Sequence, residues 1–89
     1  MKSDLKKQLR AKAHALKPVV ITGQAGASES VLNEINLALD HHELIKVRVN
    51  AEDRDQRREM IDHICAETVA ELIQSIGHII TLYRKNPDK

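Results

Sequence analysis

Two glycines three residues apart, Gly23 and Gly26, stand between a β-branched run and an apolar stripe of helical period. Glycine at such a junction lets backbone N–H groups approach a ligand closely, and the N-terminus of the following helix adds partial positive charge. Together these suit a phosphate. The same pair also serves a tight strand-to-helix turn, which needs glycine only for its dihedral angles and is the commoner use. Gln24 and Ala25 complete the loop, which therefore offers backbone donors but no cationic side chain. No Gly-Lys-Ser/Thr follows and no third glycine is spaced for a dinucleotide, so the loop is neither of those nucleotide motifs.

Basic side chains are the second candidate set. Lys46 and Arg48 alternate with Ile45, Val47 and Val49, which puts the two cations on one face of a strand. Lys6 and Arg10 share a flank of the first helix, with His14 and Lys7 further round it. Lys17 and Arg84 are the remaining candidates. Surface charge is the usual role of such residues, and contact with an anion requires that they lie near one another. His41 and His42 point about 100° apart on a helix and do not chelate together; a helix C-terminus accounts for them. His63 and Cys65 lack zinc spacing, and Cys65 falls on an apolar face. With no Ser-His-acid pattern and no distinctive carboxylate pair, no catalytic site, metal or cofactor is expected.

The elements that must position these residues follow from periodicity. Leu5, Leu9, Ala13 and Leu16 predict a helix over residues 4–16, closed by Pro18, which disfavours a helical Lys17. Residues 19–22 read as a buried strand. Ser28 is the N-cap of a second helix carrying Val31, Leu32, Ile35, Ala38 and Leu39 inward. Residues 44–49 form a half-buried strand with a basic open face. Polar residues 50–55 supply the N-cap of a third helix, on which Ile61, Ile64, Cys65, Thr68 and Leu72 keep helical spacing. Two short strands, over residues 73–76 and 78–84, join tightly at Gly77. The order α-β-α-β-α-β-β predicts a two-layer α/β domain, with helices packed on a four-stranded mixed sheet and a right-handed crossover between the first two strands.

The chain has 89 residues, which suits one domain. Tyr83 is the only aromatic residue. The core must come from Leu, Ile, Val and Ala, and the chain has no large aromatic stacking platforms. One cysteine excludes an internal disulfide, and no apolar run approaches the roughly 20 residues of a membrane span. A cytoplasmic protein is expected. The net charge of +1 hides a strong division along the chain. Residues 1–26 hold six Lys/Arg against one acidic residue, residues 27–71 hold five against eleven, and residues 72–89 hold three against one. Local charge of this kind acts on a polyanion whatever the total.

The segments Leu16-Lys17-Pro18-Val19-Val20, Gly23-x-x-Gly26, His41-His42-Glu43-Leu44-Ile45-Lys46-Val47, Ile76-Gly77 and Leu82-Tyr83-Arg84 occur in an order and spacing that resemble the bacterial YhbY family, stand-alone CRM domains. The resemblance covers essentially the whole chain. It implies a fold similar to the C-terminal domain of translation initiation factor three. It also implies RNA binding through a glycine loop comparable to that of KH domains, and association with precursors of the large ribosomal subunit. Ribosomal RNA is then the expected partner, with phosphates gripped by loop N–H groups and Lys/Arg. A module that docks on a ribosomal protein or assembly factor is the alternative, and an RNA-processing enzyme has no candidate nucleophile or metal cluster.

Overall fold

A computed structural model describes residues 3–23 and 26–86. Gln24 and Ala25 lie outside the described residues. Seven elements follow in the expected order: α1 (Ser3–Ala13), β1 (Pro18–Ile21), α2 (Glu29–His42), β2 (Leu44–Arg48), α3 (Arg54–Thr68), β3 (Glu71–Ile76) and β4 (Ile79–Tyr83). The strands form one mixed sheet in the order β1-β2-β4-β3. β1 and β2 are parallel, as the intervening α2 crossover requires, and the other two pairings are antiparallel.

Local chemistry sets the boundaries. The Ser28 hydroxyl accepts the Val31 N–H at 3.4 Å and caps α2 as expected. Asp53 caps α3 by accepting the Gln56 N–H at 2.7 Å, while Gln56 Oε1 accepts the Glu52 N–H at 2.6 Å, a reciprocal arrangement close to a capping box. Gly77, at φ +57°, turns β3 into β4. Val69 ends α3 at φ +53° in the left-handed region, where a β-branched residue is strained. Val69 is also highly exposed, so Val69→Gly removes little packing. The substitution should raise stability by about 0.5–1 kcal/mol, read as a higher melting temperature.

One face of the sheet holds the main core. Val20, Ile45, Val47, Val49, Ile80 and Leu82 from the strands meet Ile35 and Leu39 of α2 and Ile61 and Ile64 of α3. The alternation read for β2 is therefore correct, with Lys46 and Arg48 turned to the other face. α1 touches β2 and β3 on that other face, with Leu9, Ala13 and Ile73 buried apart from the main cluster.

Three expectations need correction. α1 ends at Ala13 rather than residue 16, because the chain tightens through i to i−3 bonds, His14 N–H to Ala11 and Leu16 N–H to Ala13, before Pro18. β1 is an edge strand, not a buried one: Val19 and Ile21 are 54% and 59% exposed, and only Val20 points into the core. Pro18, at the first residue of an edge strand, costs the sheet little. Leu72 belongs to β3, since α3 stops at Thr68, yet it still packs against the main core.

Candidate nucleic-acid interface

The glycine loop leaves the sheet from a pinned end of β1. Thr22, wholly buried, donates its N–H to the Arg48 carbonyl at 2.9 Å. Asn50 then clamps it twice, its N–H donating to Thr22 Oγ1 at 2.9 Å and its Nδ2 to the Thr22 carbonyl at 3.0 Å. The Gly26 N–H donates to the Gly23 carbonyl at 3.0 Å, closing the loop at its base. Gly26 has φ +70°, and a Cβ there would stand 3.5 Å from Met60 Cε, so its backbone conformation calls for glycine. Gly23 differs: a Cβ there would meet nothing within 4 Å.

Other loops gather at the same end of the sheet. The Val49 N–H donates to the His78 carbonyl at 2.7 Å, and Arg57 Nη1 donates to the Gly77 carbonyl at 2.8 Å. An open hollow of about 600 Å³ beside the glycine loop is lined by Thr22, Gly23, Asn50, Ala51, Glu52 and Gln56. Its one carboxylate among the described residues, Glu52, opposes an anion in that hollow.

The structure sorts the candidate cations into groups. Arg48 is exposed beside the loop, with its Nε 3.4 Å from Asn50 Oδ1. Lys46, two residues down β2, is half-buried and lines a cleft with Arg10 and His14 of α1. Lys6 lies one turn before Arg10 on α1 and is half-buried. Lys17 is exposed at the opposite end of the sheet, on the rim of a groove lined by Leu9, Leu16 and Tyr83. Arg84 is also at that far end, because Tyr83 pairs with Leu44. Its guanidinium is engaged inside the protein: Nη1 donates to Asn36 Oδ1 at 2.8 Å and to the Thr68 carbonyl at 2.7 Å, and Nη2 donates to Asp40 Oδ1 at 2.7 Å and the Asn36 carbonyl at 3.1 Å. Thus Arg10 and Lys46 share one cleft and Arg48 continues the same strand face toward the loop, while Lys17 and Arg84 stand apart from them.

Charge is divided between the two faces of the sheet. α1 carries four Lys/Arg and one Asp, and lies on the face of Lys46 and Arg48. α2 and α3, against the other face, together carry seven acidic residues and three Arg, all three on α3. Sequence reasoning did not select His14, Gln74 or Thr81, which line the cleft with Arg10 and Lys46. Only His14, four residues after Arg10 on α1, had a sequence signal pointing there. Cys65 packs against the core from a half-buried position, and its thiol is held above the ordinary range by burial first and by the Asp62 charge second. A thiol kept protonated is a poor nucleophile.

Comparison with known proteins places these features in context. A sequence model of the CRS1 / YhbY (CRM) domain matches residues 1–84. A Pseudomonas aeruginosa protein named "Probable RNA-binding protein" is 48% identical over 82 residues, covering 92% of this chain and 79% of that one. A Haemophilus influenzae protein named "RNA-binding protein" is 48% identical over 83 residues, covering 93% and 84% of the two chains. The solution structure of a hypothetical protein from Staphylococcus aureus superposes with a TM-score of 0.84 at 32% identity, covering 97% of this chain and 90% of that one.

Proposed function

The chain belongs to the CRS1 / YhbY (CRM) domain family, and on that footing we propose that it is an RNA-binding protein that grips phosphates of structured RNA with its glycine loop and with Arg10, Lys46 and Arg48. The observation that carries this reading is the sorting of charge. A basic helix and two basic strand residues share one face, and α2 and α3, together net acidic, lie against the other. From Lys46 toward the glycine loop, the strand residues of the basic face, Ile21, Lys46, Arg48, Gln74, Ile76, Ile79 and Thr81, include no carboxylate. A surface of that kind draws a polyanion by releasing its counterions. Gly23 has open space around it and no positive φ, which suits close approach of a ligand to the backbone better than a need of the turn itself.

Contacts made to phosphates position RNA without reading its sequence. Replacing Lys46 and Arg48 together by Ala should therefore weaken binding to all structured RNAs alike and reduce the salt slope by about one for each lost contact. Filter retention at several salt concentrations measures both. An unchanged slope removes this strand face from the interface, and a loss confined to one RNA sequence replaces phosphate gripping with base readout.

The natural target in this reading is ribosomal RNA in precursors of the large subunit, bound in the cytoplasm during assembly rather than chemically altered. Crosslinking in cells, followed by sequencing of the attached RNA, tests it. Fragments enriched in large-subunit precursor RNA are expected, and fragments drawn evenly from unrelated RNAs would overturn the assignment.

A further inference from the structure

The cleft between α1 and the sheet is built from a row of side chains that spans three strands. Lys46 of β2 pairs with Thr81 of β4, and Thr81 pairs in turn with Gln74 of β3, so the three side chains share one face in adjacent positions. Directly paired residues on one face stand about 5 Å apart. Arg10 and His14, one turn apart on α1, close the cleft from above, and Ile76 and Ile79 complete its wall. Its volume is about 210 Å³, room for a group several water molecules in size.

Two features separate this cleft from ordinary solvated surface. Two cationic side chains and an imidazole meet with no carboxylate among the described residues lining the space, and the two cations repel unless an anion enters. Thr81 is only 3% exposed, yet its hydroxyl takes no hydrogen bond among the described residues. The oxygen itself is open to the cleft, since no buried side-chain N or O atom among the described residues lacks a partner. Gln74 and Lys46, half-buried, and Arg10 and His14, exposed, likewise have no side-chain partner among the described residues. The site thus presents a guanidinium fork, an ammonium, an imidazole, an amide and a hydroxyl around one small space.

We propose that this cleft seats one phosphate group of bound RNA, separate from the glycine loop, with Arg10 and Lys46 supplying charge and His14, Thr81 and Gln74 supplying short-range donors. This rests on the reading of the chain as an RNA-binding protein. A tetrahedral phosphate offers oxygens in several directions and suits donors that arrive from a helix above and three strands below. A carboxylate, with two oxygens in one plane, leaves part of the set unused. The seat gives the interface a fixed second point of attachment, so a bound strand runs from the loop past Arg48 to the cleft.

Thr81→Val tests the seat without changing charge. Valine has nearly the same shape, and no hydrogen bond among the described residues is lost, so circular dichroism and melting should match the parent. Affinity for structured RNA should fall about tenfold, with the salt slope unchanged because no cation is removed. Gln74→Leu, on the edge strand, should act in the same direction and serves as the second variant. Inorganic phosphate added to isotope-labelled protein should shift the amide signals around residues 74 and 81 saturably in the parent and more weakly in Thr81→Val. If the parent binds RNA and both folded variants bind it equally well, the seat is overturned while RNA binding stands. If phosphate shifts the cleft under those same circumstances, the site holds free phosphate and its assignment to RNA fails. If the parent does not bind RNA at all, the RNA-binding reading itself falls, and a phosphate response then belongs to a free anion.

Discussion

Arg84→Ala should destabilise the protein by about 2–3 kcal/mol, because it removes charge-assisted bonds to groups with few other partners. For a chain of this size that lowers the melting temperature by roughly 10 to 20 °C. The guanidinium ties together three elements: Asn36 and Asp40 of α2, the Thr68 carbonyl at the end of α3, and the segment leaving β4. Thr68 itself is buried and donates its hydroxyl to the Ile64 carbonyl at 2.6 Å. The ion pair alone explains little of the loss, since Asp40 is 65% exposed while Arg84 is 23% exposed. Asp40→Asn should therefore cost no more than about 1 kcal/mol. Arg84→Lys should recover only part of the loss, as an ammonium cannot reproduce the fork. At a temperature where Arg84→Lys is folded, its RNA affinity should match the parent's. A tenfold loss of affinity in that folded variant would instead return Arg84 to the RNA interface.

Arg84 also shows where the sequence stopped being legible. Its partners lie 16 to 48 residues away, and no local spacing announces them. As an isolated cation it looked equivalent to Lys46 or Arg48. By contrast, the β2 alternation, the Ser28 cap and the Gly77 turn are local features, and each was readable because its cause lies within a few residues. The order of elements and the mixed sheet follow from them together with the family resemblance. The edge position of β1 was hidden, because a short β-branched run looks the same whether a strand is covered on one side or two. The cleft needed more still. The row Lys46, Thr81, Gln74 depends on a register that shifts between Leu72 and Gln74, and a one-residue irregularity decides which β3 side chain faces Thr81.

The second large effect belongs to the glycine loop. Replacing Gln24 and Ala25 together by Asp leaves Gly23 and Gly26 in place, including the positive φ at Gly26, so the fold should persist. Two carboxylates would then stand between the glycines, where a phosphate is to approach, and compete for the N–H groups it needs. RNA affinity should fall more than tenfold, about 1.4 kcal/mol or more. Gln24→Ser with Ala25→Ser should bind nearly as the parent does, as it adds polarity without charge. Glu52→Gln removes a carboxylate from the adjoining hollow and should raise affinity about twofold at low salt. Parent-like affinity in the folded Asp variant would leave Gly23 and Gly26 as residues that only turn a strand into a helix.

The most direct measurement is the affinity of the unaltered chain for a structured RNA across a salt series, by filter retention. The three cations Arg10, Lys46 and Arg48 on phosphates predict that log K falls linearly with log salt, with a slope of roughly −2 to −3. Absence of binding at low salt, or an affinity indifferent to salt, would contradict a protein that holds RNA by its phosphates.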